Sequence, residues 1–205
     1  MNTRFVLRST LATVAMSAIV GLSACGGDSS TNTSSPSTAA ASQSAPAATF
    51  NDADVQFATG MIPHHQQAVT MADYAATRAG SAQVKELAAQ IKAAQGPEIQ
   101  KMSGWLTGWG KPVPPSSPST GSGMGMEGMP GMMGDADVKM LMGAKGTLFD
   151  RMFLKMMITH HEGAITMSRK EQAGGTNADA TQLAGQIISA QTAEIATMKQ
   201  LVDKL

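Results

Sequence analysis

The sequence predicts an all-α protein, a four-helix bundle built from two duplicated antiparallel helical hairpins behind a signal peptide and a disordered tether. The chain of 205 residues repeats itself at an offset of 96 positions. Within each copy, apolar side chains recur every three or four positions, and strictly alternating β-branched runs are absent. Short turns divide each copy into two segments, and short turns make neighbouring helices antiparallel.

Residues 1–24 are interpreted as a lipoprotein signal peptide. Arg4 and Arg8 precede an apolar run that is too short to span a membrane. The ending "LSAC" resembles a bacterial lipobox, which predicts cleavage before Cys25 and a lipid on its thiol. The alternative is a simple secretory signal that leaves Cys25 as an ordinary free cysteine. Both interpretations predict export, and the first predicts a membrane-anchored protein facing the periplasm or the cell exterior.

Residues 25–49 predict a flexible tether. They are Ser-, Ala- and Pro-rich with almost no large apolar side chain, so they cannot bury enough surface to offset the entropy lost on ordering. The remaining residues, 50–205, suit one compact four-helix domain. We expect a first hairpin over 50–109, a Met-, Gly- and Pro-rich crossover over 110–136 and a second hairpin over 137–205.

The helices are assigned in order from these signals. Asn51 or Asp52 is expected to cap the first helix, which runs to about residue 79. A Gly-Ser turn follows, and a second helix runs to about residue 107. The crossover is too rich in Pro and Gly to continue a helix. The second copy predicts one helix over about 145–173, a "GGTN" turn, and a last helix that ends near residue 205.

Composition and charge exclude several partners. The whole chain carries 15 Lys and Arg against 15 Asp and Glu. Removing residues 1–24 takes away two arginines and leaves 13 basic against 15 acidic residues. No basic stripe with interleaved aromatic side chains occurs, so nucleic acid is not an expected partner. Since Cys25 is the only cysteine, an intrachain disulfide and thiolate metal ligands are not expected either.

All four histidines lie in two His-His pairs. The stretches are "MIPHHQQAVTMA" at 61–72 and "MITHHEGAITMS" at 157–168, which are identical at seven of twelve positions. At 100° per residue both pairs lie on or beside the apolar stripe of their helix. On the following helices Glu98 and Glu194 share the apolar face, within "AAQIKAAQGPEIQKM" and "AGQIISAQTAEIATM". Polar side chains therefore face inward in both copies.

A buried polar group needs a partner or a metal ion, which leaves two interpretations. In one, His and Glu pair across each hairpin and fix its register. In the other they bind metal, and imidazole together with soft thioether points to copper, above all Cu(I). The carboxylates either ligate or accept the second ring N–H of a ligating histidine. The candidates form one cluster per hairpin or one shared site: His64, His65, Met61, Met71, Glu98 and Met102, with His160, His161, Met157, Met167, Glu194 and Met198.

Because imidazole binds metal in its neutral form, we expect the affinity to fall as the pH drops below about 6.5.

Methionine is concentrated in the crossover and just after it. Ten of the 17 methionines lie between positions 124 and 157. In "MGMEGMPGMM" they lack helical spacing and are predicted to have no core to fill, whereas Met140, Met142, Met152 and Met156 are predicted to fill the core. An accessory loop for a soft ion, Cu(I) or Ag(I), is the preferred interpretation over a functionless loop. Its candidate ligands are Met124, Met126, Met129, Met132 and Met133.

The patterns "F…MI.HH..AI.MA" and "LA..I...Q..EI..M" resemble domain-of-unknown-function family 305. The resemblance covers 50–107 and 146–203. It implies exported, ferritin-like four-helix proteins, several of them associated with copper binding or tolerance. The family often has Pro before both His pairs and Gly after the first, where this chain has Thr159 and Gln67. Neither change removes a candidate ligand.

Together these features predict an extracytoplasmic copper-binding protein that sequesters or transfers Cu(I), with Cu(II) as a second candidate, and contributes to copper tolerance. Silver is expected to act as a surrogate, and a protein that donates or accepts copper is a candidate partner. An enzyme is not expected. The alternatives are a ferritin-like di-metal oxidase, although no Glu-x-x-His occurs, and a structural or interaction bundle whose histidines are polar core groups.

Overall fold

The computed structural model describes residues 49–115 and 128–205, and their regular structure is helical apart from one isolated bridge. The all-α fold of paired helical hairpins is therefore confirmed. The signal peptide, Cys25 and nearly all of the tether lie outside the described residues, as do Met124 and Met126. In chain order the helices are α1 (Asp52–Arg78), α2 (Ala82–Gly108), α3 (Asp135–Gly143), α4 (Gly146–Gly174) and α5 (Ala178–Val202).

The two hairpins meet through their first helices. α1 packs along α2, α4 packs along α5, and the main contact between the hairpins is that of α1 with α4. The apolar core falls into two clusters at opposite ends of this α1–α4 contact. One contains Phe57 to Ile62 of α1, and the other contains Ala68 to Ala79. Residues 64 and 65 lie between the two clusters, so the bundle is apolar at both ends and polar in its middle.

Each hairpin closes the turn of the other with an aspartate. The Asp150 carboxylate of α4 accepts hydrogen bonds from the backbone N–H groups of Gly80 (3.1 Å) and Ser81 (2.9 Å), in the α1–α2 turn. In the equivalent place, Asp54 of α1 accepts from the backbone of Thr176 and Asn177 in the α4–α5 turn. These aspartates are buried and their turns are tight, so this exchange fixes how the hairpins dock.

Close backbone approach accompanies the first of these turns. A Cβ at Gly80 would lie 3.0 Å from the Gly146 Cα, and Gly146 itself has a φ of +59°. Ala79 and Gly146 form the isolated bridge. A larger residue at position 80 would push the turn away from the start of α4 and from Asp150.

The start of α1 follows the expected signal. Asn51 is the N-cap of α1: its side chain accepts from the N–H groups of Ala53 and Asp54, and the Asp54 carboxylate accepts from the Asn51 N–H. This reciprocal arrangement is a capping box. Ser81 and Asn177 cap α2 and α5 in the same way, each accepting one backbone N–H.

The crossover differs from its prediction. The nine-residue helix α3 was not predicted; it is short and buries only Leu141. The prediction that Met140 and Met142 fill the core is wrong, since they are 57% and 37% exposed. Met152 and Met156 do pack against the core. None of the described helices is long and apolar enough to cross a bilayer.

Candidate metal centre

The four histidines form a buried layer between the two apolar clusters, and we call it the histidine layer. His64, His65, His160 and His161 are all 0% exposed. They come from the middle of α1 and of α4, the two helices through which the hairpins meet. The inward orientation predicted from the helical spacing is therefore what the structure has.

The two His pairs meet each other across the α1–α4 contact. The ring centroids of His64 and His160 are 3.8 Å apart, with the rings tilted by 38°. His160 and His161 lie 6.4 Å apart on α4. The four rings therefore lie together at the junction of the hairpins, and the choice between one shared metal site and one site per hairpin stays a prediction.

A glutamate holds the outer ring of each pair. His65 Nε2 donates to Glu98 Oε2 at 2.7 Å, and His161 Nε2 donates to Glu194 Oε2 at 2.6 Å. The glutamate side chains remain 20% and 21% exposed, whereas both rings are fully buried. Each carboxylate fixes the proton on Nε2, so the lone pair of each ring is on Nδ1, which faces away from the carboxylate.

Five imidazole nitrogens of the histidine layer have no hydrogen-bond partner among the described residues, although all are buried. They are Nδ1 of all four rings and Nε2 of His160. A buried polar atom without a partner costs about 1–3 kcal/mol. Pairing with glutamate therefore accounts for only one nitrogen in each of two rings, and the other nitrogens are available for a ligand.

Burial also keeps the inner rings neutral. Burial, then the neighbouring His65 and His161, lowers the pKa of His64 to about 3, against the smaller opposing effect of its hydrogen bond to Pro130. Burial, followed by the other imidazoles, lowers the pKa of His160 well below its ordinary value. These two rings therefore stay neutral to lower pH than an ordinary imidazole does.

The candidate methionines lie at different distances along the helices. Met61 and Met157 lie three and four residues before their His pairs, the spacing at which side chains are neighbours on one helix face, and both are 0% exposed. Met71 and Met167 lie about two turns beyond. The methionines of the outer helices, Met102 and Met198, are fully buried in opposite apolar clusters.

The end of the crossover is docked onto the histidine layer, and residues 128–134 are called the crossover segment below. His64 Nε2 donates to the Pro130 carbonyl oxygen at 3.1 Å. The Gln67 amide holds the Met133 backbone in both directions, accepting its N–H and donating to its carbonyl, both at 2.8 Å. The crossover segment is thereby joined to α1 by three hydrogen bonds.

Gly163 admits the crossover segment on the other side, at α4. A Cβ at this position would collide with the Pro130 carbonyl and lie 2.7 Å from the Gly131 Cα. Gly163 and Gln67 are equivalent positions of the repeat, 96 residues apart. These two equivalent positions thus form the binding surface, or seat, of the crossover segment. Gln67 supplies hydrogen bonds, and Gly163 leaves room for the backbone of Pro130 and Gly131.

The described methionines of the crossover lie in different environments. Met133 packs against the apolar core, so the prediction that none of the five had a core to fill is wrong for this residue. Met129 lines a cavity beside α1, and Met132 is half-buried. The role of Met129, Met132 and Met133 as ligands stays a prediction.

Several residues of this region were missed from the sequence. Pro130 and Gly163 act through their backbone, which carries no side-chain signal. Glu171 is 1% exposed and follows the His-Met motif by one turn. A comparison of the two copies could have pointed to Glu171 from the sequence, because its equivalent position in the first copy is Ala75, a small buried residue.

Fold and site together define a class of protein: bundles of paired helical hairpins with a buried histidine layer at the junction of the hairpins. The chain belongs to the DUF305 family, a domain of unknown function whose model matches residues 54–202. The family predicted from the His-His and Met pattern is thus confirmed.

Similar proteins include solved structures of this family. A candidate secreted DUF305 protein of Streptomyces coelicolor is 35% identical and covers 74% of this chain and 93% of its own, with a TM-score of 0.66. CopM in its Cu(II)-bound form is 34% identical and covers 74% of this chain and 96% of its own, with a TM-score of 0.63. CopM structures with Cu(I) and with silver are also similar to this chain.

One curated relative matches a shorter stretch. Uncharacterized protein L153 of Acanthamoeba polyphaga mimivirus is 40% identical over 53 residues, which cover 26% of this chain. The match spans 35% of the length of that relative.

Proposed function

We propose that this protein binds copper outside the cytoplasm, and that the histidine layer takes up Cu(I) for sequestration or transfer. Silver would occupy the same site as a surrogate, and Cu(II) is the second candidate ion. A contribution to copper tolerance follows from removing the free ion. The proposal is supported by the donor types of the layer and by the similarity to CopM, which has been solved with copper and silver.

The observation that carries the proposal is the set of five buried imidazole nitrogens without partners. A histidine kept only for packing would place both of its ring nitrogens against donors or acceptors. Here the lone pairs of four rings lie in one layer, and two of the rings, His64 and His160, are in direct contact. Neutral imidazole is a ligand for copper, and burial favours the neutral form.

Thioether sulfur completes the proposed donor set. Within 49–115 and 128–205, no three His, Cys, Asp or Glu side chains are grouped so as to hold a metal ion. The centre proposed here therefore includes Met61 and Met157, one helical turn before the His pairs. A mixture of thioether and imidazole selects Cu(I) over the harder divalent ions.

Glu98 and Glu194 are proposed to orient the centre without ligating. Each accepts the Nε2–H of one ring, which directs the Nδ1 lone pair away from the carboxylate. Carboxylates in this position raise the basicity of a ligating imidazole, and their loss typically lowers metal affinity by about 10–100-fold. The same pairs also fix the register of α1 on α2 and of α4 on α5.

The test is an anaerobic competition titration with Cu(I) on the purified chain. Replacing all four histidines by glutamine should abolish tight binding, and the pair His64→Gln/His160→Gln should weaken it strongly. Glu98→Gln and Glu194→Gln should each cost about 10–100-fold in affinity. Glu86→Gln, an exposed glutamate on α2, is the matched control and should leave the affinity unchanged.

Urea unfolding of each variant separates this proposal from its alternatives. A structural bundle predicts that the histidine variants lose stability while copper uptake is unchanged, and that result would overturn the proposal. An oxidase predicts oxygen consumption when the reduced metal is added in air. The expected result is copper binding that is lost with the histidines, with no catalytic consumption of oxygen.

Export and anchoring are further parts of the proposal. They are supported by the signal-like residues 1–24 and by Cys25 at the end of the "LSAC" stretch. Detergent partitioning and the mass of the mature chain test them directly. Cys25→Ser should release the protein from the membrane fraction, whereas a chain that stays soluble with intact Cys25 would contradict the lipid anchor.

A further inference from the structure

A cavity of about 190 Å³ lies between α1, α4 and the crossover segment. Two thioethers reach it. A Cβ placed at Gly60 would lie 3.0 Å from Met167 Cε and 3.6 Å from Met129 Sδ, so both methionine side chains end at the same point of α1. Met129 comes from the crossover segment and Met167 from α4, and both are half-buried.

A carboxyl group lines the same cavity. Glu171 is 1% exposed, and neither of its oxygens has a hydrogen-bond donor within reach. Its neighbour Asp54 already accepts backbone N–H groups from the α4–α5 turn and from Asn51. The basic group of the cavity, Lys170, is exposed and donates to Gln56. The Glu171 carboxyl thus has no basic partner among the described residues, and it lies beside the Asp54 carboxyl at Gly175.

We propose that Met129, Met167 and Glu171 bind a second soft monovalent cation, Cu(I) or Ag(I), at this cavity. The proposal rests on the proposed function, because it assumes that the protein takes up such an ion. Two thioethers select a soft ion, and one carboxylate balances its single charge in a buried place. Hard divalent cations prefer six or more oxygen ligands, and this cavity does not offer them.

The duplication predicts one such site in the chain. The positions equivalent to Met167 and Glu171 in the first copy are Met71 and Ala75. Met71 is fully buried in the apolar core, and alanine provides no carboxylate. The position equivalent to Gly60 is Met156, so the space that admits two thioethers is absent from the other copy as well.

Glu171 has a second way to be satisfied, which is a proton shared with Asp54. Burial, then the Asp54 carboxyl, raises the pKa of Glu171 to about 8. A proton and a monovalent cation would carry the same charge, so they compete for this group. The two differ in their demand for sulfur: only the cation needs Met129 and Met167.

The experiment is a titration of the full chain with Ag(I), followed by NMR of methionine methyl groups labelled with ¹³C and of the imidazole C–H groups. We expect the Met129 and Met167 methyl signals to shift with one equivalent of Ag(I). Met129→Leu/Met167→Leu should lose that equivalent while the imidazole signals still shift. Glu171→Gln should weaken this binding, because a neutral amide leaves the charge of the buried ion without a counter-charge.

The control removes the same number of thioethers elsewhere. Met140→Leu/Met142→Leu acts on two exposed methionines of α3 and should leave the number of bound ions unchanged. The proposal is overturned if the Met129 and Met167 signals do not move, or if the control loses an equivalent as well. It is also overturned if the two methyl shifts saturate together with the imidazole shifts, since one shared site would then bind both. Imidazole signals that never shift would refute the proposed function instead.

Discussion

Because the crossover segment docks on α4 at Gly163, we predict that Gly163→Ala displaces this segment and lowers the stability of the protein. Alanine would place its methyl group against the Pro130 carbonyl and Gly131, so the crossover segment must leave its seat. Leaving breaks the bond from His64 to Pro130 and the two bonds between Gln67 and Met133. At about 0.5–1.5 kcal/mol for each net hydrogen bond, the loss is about 1.5–4.5 kcal/mol.

A gain in helix propensity opposes this loss. Alanine is more favourable than glycine in a helix interior by about 1 kcal/mol, so the net destabilisation should be about 0.5–3.5 kcal/mol. Gly104→Ala provides the matched control, because Gly104 lies within α2 and a Cβ there would meet nothing within 4 Å. The same chemical change should stabilise the protein at position 104 by up to about 1 kcal/mol.

Two assays check the difference. Urea unfolding of both variants gives the free energies, and amide hydrogen exchange reports on the Met133 N–H, which Gln67 accepts. In Gly163→Ala the Met133 amide should exchange at least about 10-fold faster. A loss of about 1.4 kcal/mol in the free energy that holds the crossover segment in place corresponds to a tenfold faster exchange. If Gly163→Ala is as stable as Gly104→Ala and the Met133 amide stays protected, the crossover segment is not seated on α4.

Two pH dependences follow from the buried titratable groups. Because the pKa of Glu171 in the folded state (about 8) lies above its ordinary value of 4.5, the folded state keeps a proton that the unfolded state loses, so stability should fall as pH rises from 4.5 through 8. Thermal unfolding should show less of this loss in Glu171→Gln than in the unaltered protein, and an equal loss in both would contradict the prediction. Glu162→Gln, at an exposed glutamate, is the control. For His64 the folded-state pKa (about 3) lies below the ordinary 6.5, so the unfolded state takes up a proton first and the metal-free protein should lose stability as pH falls from 6.5 towards 3. In urea unfolding with a chelator present, His64→Gln should lose less stability over this pH range. An unchanged dependence of the unfolding free energy on pH would refute the lowered pKa of His64.

Much of the fold was predictable because its signals are local. The apolar period placed the four long helices, and the expected Asn cap placed the start of the first one, since both signals depend on residues within a few positions. The buried position of His64, His65, His160 and His161 followed from the same period. The pairs with Glu98 and Glu194 could be stated as one interpretation, because both partners lie on adjacent helices of one hairpin.

The remaining features depend on contacts between distant segments. That the His64 ring contacts the His160 ring requires knowing that α1 faces α4, and no local pattern states which helices of two hairpins meet. The seat formed by Gln67 and Gly163 holds a segment without periodicity, and its key contact is a backbone carbonyl. Glu171 stands outside the His-Met motif, and the structure adds to the Ala75 difference between the copies the fact that this carboxyl is buried.

The exchange of aspartates between the hairpins has a consequence for how such a protein arises. Asp54 closes the turn of the second hairpin and Asp150 closes the turn of the first, so neither copy contains everything that its own turn needs. A lone hairpin of this design would find the missing carboxylate only in another copy of itself. Its natural form would be a symmetric dimer, and joining two such genes end to end would keep both carboxylate–turn contacts within one chain.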